Sequence, residues 1–420
     1  MREMKDSGIE WIGQIPNNWK LKKGKYLFKQ HNNRGNLKCL QLLSPSQKFG
    51  VIPQTLLEEL TTQNVVKVSE KANLNDFKTV HVGDFCISLR SFQGGFEYSR
   101  YEGVVSPAYQ IFSAIGDNLC DGYYRYLFKD KSFIDKMNSY TMTLRDGKNI
   151  AFDDFGNTYI PVPPKSEQEK IANFLDSQCS EIDAISADIQ KEIEILEQYK
   201  RSVITEAVTK GLNPDVKMKN SGAEWIGRVP NNWNLGRIGG FYSLRNEKVS
   251  DKDYPPLSVT MKGILPQLET AAKTNDGDNR KLVRKGDFAI NSRSDRRGSC
   301  GISKYDGSVS LINTVLTPRG KMSAAYYDWV FHCTRFSDEF YRQGHGIVDD
   351  LWTTGWQEMK KIIIPVPPFL EQNEIADYLA SKCSDIDSVI SQKNQQLETL
   401  SNYKKILIYE YVTGKKEVLI

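Results

Sequence analysis

Apolar residues recur every seven positions along one stretch of this chain: Leu175, Ile182, Ile189, Leu196 and Val203. Ile171, Ile185 and Tyr199 occupy an offset row, which Gln178 and Glu192 interrupt. Five repeats at this spacing predict a long helix with a coiled-coil seam. A helix from 166 to 208 would be roughly 64 Å long at ~1.5 Å per residue. The pattern returns at Leu379, Ile386, Lys393, Leu400 and Leu407, with Ile375, Val389 and Tyr403 offset. Lys393 stands in the seam, where a polar residue costs stability and helps to fix register. Helices of this length outrun a single small domain, so the two are predicted to pack against each other. The first has a clear start: Pro163-Pro164 ends a strand, and Ser166-Glu167-Gln168-Glu169 reads as a capping box. The second has Phe369-Leu370 in place of the lysine and serine.

The period changes to two in the segments before each helix. Val80, Val82, Phe85, Ile87 and Leu89 alternate with polar residues around Gly83-Asp84, which predicts a strand, a turn and a strand. Leu282-Val283-Arg284-Lys285-Gly286-Asp287-Phe288-Ala289-Ile290 repeats the pattern. Residues 20–158 and 234–362 therefore read as mixed α/β inserts.

These echoes belong to a duplication. Ile160-Pro161-Val162-Pro163-Pro164 returns as Ile364-Pro365-Val366-Pro367-Pro368, each followed at two residues' distance by Glu-Gln; pairing 160–209 with 364–413 gives 23 identities in 50 positions. Ser7-Gly8-Ile9-Glu10-Trp11-Ile12-Gly13 matches Ser221-Gly222-Ala223-Glu224-Trp225-Ile226-Gly227, and Pro16-Asn17-Asn18-Trp19 matches Pro230-Asn231-Asn232-Trp233. Repeats of this size fix an architecture before any local reading does. Here they describe one scaffold present twice around unlike inserts.

At 420 residues several domains are expected. The absence of a long apolar run predicts no membrane span, and the start of the chain lacks the apolar core of a signal peptide. Seven cysteines without a Cys-x-x-Cys pair argue against zinc and disulfide frameworks and fit a cytoplasmic protein. Cys179 and Cys383, at equivalent repeat positions, read as small buried hydrophobes. The net charge of +4 is uninformative until it is divided. Ser166–Val208 carries −6 and Leu370–Glu410 carries −3, so the remaining residues carry +13. The helices are acidic and the inserts basic, which puts any nucleic acid on the inserts.

Arg280–Arg297 alone holds seven basic residues against two acidic. Within the two inserts, Arg90, Ser91 and Gln93 occupy one polar stretch, and Arg293, Ser294, Arg296 and Arg297 the corresponding one. Arginine pairs bidentately with guanine and glutamine with adenine, so both stretches are candidate DNA readers. Arg145 and Lys148 are candidate phosphate contacts. A solvated basic loop would carry the same residues.

Signs of chemistry are missing. Asp253-Tyr254-Pro255-Pro256 has the wrong order for the base-gripping loop of an amino-methyltransferase, and Phe92-Gln93-Gly94-Gly95 is no methyl-donor motif. No phosphate-binding Gly-x-x-x-x-Gly-Lys-Ser/Thr loop occurs, nor a nuclease-like Pro-Asp followed by Glu-x-Lys. His31, His81, His332 and His345 are too dispersed to nominate a ligand set or triad. No catalytic residue and no metal site is predicted; a binding protein is.

Together the Ser-Gly-x-Glu-Trp-Ile-Gly-x-x-Pro-x-x-Trp heads, the Ile-Pro-x-Pro-Pro helix starts and the duplication resemble the specificity subunits of type I restriction–modification enzymes. The resemblance covers essentially the whole chain. It implies an α+β fold in which two mixed α/β target-recognition domains are separated by two long antiparallel helices forming a coiled coil, with an internal pseudo-two-fold repeat. The corresponding boundaries are 1–158, 159–212, 213–362 and 363–420, with the helical regions second and fourth. It implies a non-catalytic prokaryotic subunit whose domains each read half of an asymmetric, bipartite double-stranded DNA site for adenine methylation or ATP-dependent restriction. Two modification subunits would dock on it, joined in some systems by two restriction subunits. S-adenosylmethionine, ATP and Mg²⁺ would belong to those partners, with no cofactor in this chain. The missing serine at the second helix start predicts docking surfaces of unequal strength. The alternative is a bivalent adaptor whose basic inserts bind protein or RNA.

Overall fold

A computed structural model describes residues 2–35, 40–61, 73, 75–87, 95–140, 150–267, 277–346 and 352–418. The chain divides into two compact units, one of Met1–Ile189 with Gln395–Ile420 and one of Gln190–Asn394. The division falls inside both long helices.

In the first unit, strands β1 (Phe28–His31), β4 (Phe85–Ile87), β5 (Phe96–Tyr98) and β6 (Gln110–Ala114) form an antiparallel sheet in the order β5-β4-β6-β1. A hairpin of β2 (Leu43–Ser46) and β3 (Gly50–Pro53) accompanies it. Helices α1 (Asp121–Leu127) and α2 (Lys131–Ser139) cover the sheet. Their Tyr124, Phe128 and Phe133 join Phe28, Phe85 and Phe112 in an aromatic core, where Phe28 meets Phe85, Phe112 and Tyr124 edge to face, an arrangement that ring quadrupoles favour. Strand β7 (Tyr159–Val162) leads into α3 (Lys165–Lys210).

The second unit repeats this with β8 (Tyr242–Leu244), the hairpin β9 (Leu257–Thr260) and β10 (Gly263–Pro266), then β11 (Phe288–Asn291), β12 (Cys300–Ile302) and β13 (Asn313–Pro318). Its sheet order is β12-β11-β13-β8. Helices α4 (Ala324–His332) and α5 (Thr334–Arg342) follow, then β14 (Ile363–Val366) and α6 (Phe369–Val412). The expected α+β class, with two mixed domains and two long helices, is the observed one.

The predicted strand–turn–strand is more than a hairpin. Phe77–Val80 pairs with Gly103–Val105, whereas β4 pairs with β5 and β6, so the turn carries the chain from one sheet to another. Arg280–Val283 and β11 are split in the same way. At each crossing a glycine takes a left-handed conformation, Gly83 at φ +96° and Gly286 at +93°, which a Cβ would disfavour. The neighbouring carboxylate is buried and ties the turn: Asp84 accepts from the His81 amide at 2.7 Å and Asp287 from the Arg284 amide at 2.8 Å.

The helices run 46 and 44 residues and pair antiparallel within each unit. Lys404 Nζ meets Asp183 at 2.6 Å in the first, and Lys200 Nζ meets Asp387 at 2.6 Å in the second. Of the heptad positions, Leu175, Ile182, Val203, Leu379, Ile386 and Leu407 are buried, while Ile189, Leu196, Lys393 and Leu400 are half-buried. Lys393 pairs with Glu192. The second inward row differs from the expected one. Ile171 and Ile375 of that row are buried, but Ile185, Tyr199, Val389 and Tyr403 are exposed, and the row that turns in is Cys179, Ser186, Ile193, Lys200 and Ala207 with its copy at Cys383, Ile390, Leu397, Lys404 and Tyr411. Spacings of four then three place that row beside the first; two of its members are lysines, which hid it from a search for apolar residues.

The helix starts also correct the capping-box expectation. Each helix begins from the second proline: Gln168 N donates to Pro164 O and Gln372 N to Pro368 O, both at 3.0 Å. Ser166 therefore lies within the first turn of α3 rather than ahead of it. The side chain that secures the start is the glutamine. Buried Gln168 donates to Pro163 O at 2.9 Å and accepts from Cys120 N at 2.8 Å; buried Gln372 donates to Pro367 O at 2.9 Å and accepts from Ser323 N at 2.8 Å. The two starts are equivalent, which removes the reason to expect docking surfaces of unequal strength.

The far helix ends are held alike. Tyr123 Oη donates to Val412 O at 2.7 Å, and Tyr326 Oη to Val208 O at 3.0 Å. These are last-turn carbonyls without a helical partner. Burial pushes both phenols well above their ordinary pKa, so each remains a donor.

Candidate nucleic-acid interface

The basic residues of the second insert separate by what they touch. Arg280 is buried, its Nε on Ser308 Oγ at 2.8 Å and an Nη on Ser308 O at 3.1 Å. Lys281 Nζ donates to Asn313 O at 2.6 Å, and burial lowers the pKa of both groups. Arg284 lies over the Tyr254 ring, 5.0 Å from its centroid, and donates to Tyr254 Oη. Arg280 and Lys281 hold the fold, and Arg284, its side chain 43% exposed, is braced at the surface.

Arg293, Arg296 and Arg297 are placed differently. A 3₁₀ turn, Ser294–Arg296, follows β11. Two long-range contacts fix it: Ser294 N donates to Trp352 O at 3.0 Å, and Tyr341 Oη reaches Asn291 O and Arg296 O at 3.1 and 3.2 Å. The arginine side chains remain 38, 67 and 59% exposed. Their counter-charges are close: Asp295 lies 3.1 Å from Arg293 and 3.7 Å from Arg296, and Asp338 lies 3.3 Å from Arg297. Arg297 also covers the Tyr341 ring at 5.4 Å. The turn borders a cleft of about 730 Å³ lined by Ser294, Asp295, Arg297, Asp338, Tyr341 and Trp352. Exposed guanidiniums on a braced turn suit a phosphate or base edge, because exposed carboxylate pairs are worth little and exchange readily.

Arg90, Ser91, Gln93, Arg145 and Lys148 lie outside the described residues. The strands that correspond to those flanking the arginine turn, β4 and β5, are described and pair in the same register sense as β11 and β12.

On the helices four of the exposed apolar residues fall at equivalent repeat positions, Ile185 with Val389 and Tyr199 with Tyr403. Among the described residues, no group of three histidine, cysteine, aspartate or glutamate side chains is arranged to hold a metal ion. No helix among them is long and apolar enough to cross a membrane. Sequence reading missed the glutamine clamps and the buried turn aspartates. The Glu-Gln after each Pro-Pro and the repeated Gly-Asp were the available signals.

Residues 16–195 match the family model described as "Type I restriction modification DNA specificity domain". Outside that segment too, the chain is similar to type I restriction enzyme specificity subunits. It is 26% identical over 274 residues to a protein of Methanocaldococcus jannaschii named as the type I restriction enzyme MjaX specificity subunit, covering 62% of this chain and 59% of that protein. It is 21% identical over 291 residues to the type I restriction enzyme EcoBI specificity subunit of Escherichia coli, covering 64% and 60%. The match thus spans about six tenths of the length of either relative. A solved chain from work on the complex assembly and conformational transition of the type I R–M system shares the fold at TM-score 0.69 and 12% identity, over 96% of this chain and 99% of that one.

Proposed function

We propose that this chain is the non-catalytic specificity subunit of a type I restriction–modification complex, in which each target-recognition domain reads one half of an asymmetric, bipartite site in double-stranded DNA. The observation that carries the reading is the duplication: one fold built twice, with Arg90-Ser91-Phe92-Gln93 in one copy and Arg293-Ser294-Asp295-Arg296 in the other. Equivalent frames with different reading residues call for two different half-sites. Phosphate contacts from basic residues, Arg145 and Lys148 among them, set position, while Arg90, Gln93, Arg293, Arg296 and Arg297 with the neighbouring serines read base edges.

The target-recognition domains are 1–158 and 213–362, each a repeated head with its insert, and 159–212 and 363–420 serve partner docking. Two modification subunits occupy the equivalent helix faces that carry Ile185 with Tyr403 and Val389 with Tyr199. They supply S-adenosylmethionine chemistry on adenine; restriction subunits, where present, supply ATP- and Mg²⁺-dependent cleavage. The complex works in the prokaryotic cytoplasm.

Exchange of residues 20–158 for the insert of another specificity subunit tests this. Methylome sequencing of cells expressing the chimaera with its modification partner is expected to show one changed half-site and one retained. A change in both half-sites, or methylation of no defined sequence by the parent chain, would overturn the proposal.

A further inference from the structure

We infer that the β9–β10 hairpin is a second DNA-reading element of its domain, with Met261 meeting a base edge and Lys262 the adjacent phosphate. The inference rests on the DNA-specificity reading above and adds a contact that the charge pattern did not reveal.

The hairpin tip, Thr260-Met261-Lys262-Gly263, is internally fixed. Thr260 Oγ1 accepts from Lys262 N at 3.1 Å and donates to Gly263 O at 2.9 Å, and Gly263 sits at φ +97°. A rigid tip of this kind holds its outward side chains in place. Met261 is nevertheless 72% exposed, an apolar side chain displayed where a polar one would be better solvated.

Its surroundings supply the reason. A Cβ built on Gly298 would stand 3.9 Å from Met261 Cε, and Gly298 directly follows Arg296 and Arg297. The hairpin also lies flush on β12, since a Cβ on Gly301 would come within 2.8 Å of Gly263 Cα. Hairpin tip and arginine turn therefore form one edge that presents Met261, Lys262, Arg296 and Arg297. Three cations around one flexible apolar side chain suit a DNA groove: a two-stranded ribbon fits the major groove, and a thioether matches a thymine methyl.

The first unit carries the same device with other residues. Its β2–β3 hairpin turns at Gly50, φ +76°, where a Cβ would come within 2.6 Å of Tyr98 O on β5. Lys48 occupies its tip, and Lys129 Nζ braces Gln47 O at 3.3 Å. A lysine is thus present at both tips, while the residue before it differs, Gln47 in one and Met261 in the other. A constant cation beside a variable neighbour is the pattern of a phosphate contact beside a base reader.

The test uses the full chain and a random duplex library, with bound sequences read after selection and affinity measured across a salt series. Met261→Gln is expected to shift base preference about tenfold at one position of one half-site. Lys262→Ala is expected to weaken all duplexes and lower the salt slope by about 1. Both side chains are exposed, and Lys191→Ala on an exposed stretch of α3 serves as the charge control. Variants that bind with parental preference, affinity and salt slope, while Arg297→Ala still weakens binding, would overturn the inference and leave the specificity reading standing. A parent chain that selects no sequence and is indifferent to Arg297→Ala would overturn both.

Discussion

The turn aspartates show how the two units resemble and differ. Asp84 and Asp287 occupy the same crossing and each accepts a backbone amide three residues back. Beyond that bond their partners diverge. Asp84 lies 3.2 Å from His31 Nε2. Asp287 holds Arg245, at the position of His31 in the repeat, through two bonds of 2.6 and 3.1 Å, and also accepts from Thr317 Oγ1 at 3.1 Å. The frame is common, and the strength with which each insert is anchored to it is not. Duplication therefore preserves backbone positions more strictly than it preserves the side chains that satisfy them.

The widest gap is expected from removing those carboxylates. Asp287→Ala leaves a largely buried guanidinium unpaired and should cost about 3–5 kcal/mol. Asp84→Ala removes the partner of the His81 amide and of the His31 ring, and should cost about 1–3 kcal/mol. Thermal unfolding of the two full-length variants checks this, and equal losses would break the contrast. The glutamine clamps should behave oppositely. Gln168→Ala and Gln372→Ala each leave a buried amide and a buried carbonyl unmatched, for about 2–3 kcal/mol apiece. Hydrogen exchange at the two helix starts should respond alike; protection lost at only one would show that the starts are not equivalent. The smallest effect is expected at the repeated helix bridges. Lys200→Met and Lys404→Met remove half-exposed pairs and should each change stability by less than about 1 kcal/mol. A larger loss in chemical denaturation would mean that these bridges set register.

Much of this was legible in the sequence. Period seven located both long helices, and the duplicated heads and Pro-Pro segments revealed two copies of one frame. The inner face of the pairing was half legible: Leu175 and its successors could be read, but the row with Lys200 and Lys404 looks polar because its charges are matched by aspartates on the other helix. The helix starts misled for a related reason. Ser166 satisfies a local rule, whereas Gln168 works through Cys120, a partner 48 residues away. Arg280 and Arg296 look interchangeable as charges, and the long-range contact with Ser308 separates a structural cation from an exposed one. Local rules found the elements; partners distant in sequence decided what their polar residues do.

The return of α6 to the first unit has a consequence for synthesis. The second unit is a single continuous stretch, Gln190–Asn394, whereas the first needs residues from 395 onward. Leu407 and Val412 belong to its core, and the Tyr123 hydroxyl waits for the carbonyl of Val412. On a ribosome adding residues from the N-terminus, the domain made first cannot close until the last helix emerges, while the domain made second already has all of its parts. During that interval the apolar face prepared for α6 has no cover, and unfinished surfaces of this kind invite association with other chains. For this protein the unit translated first is the one whose parts are completed last.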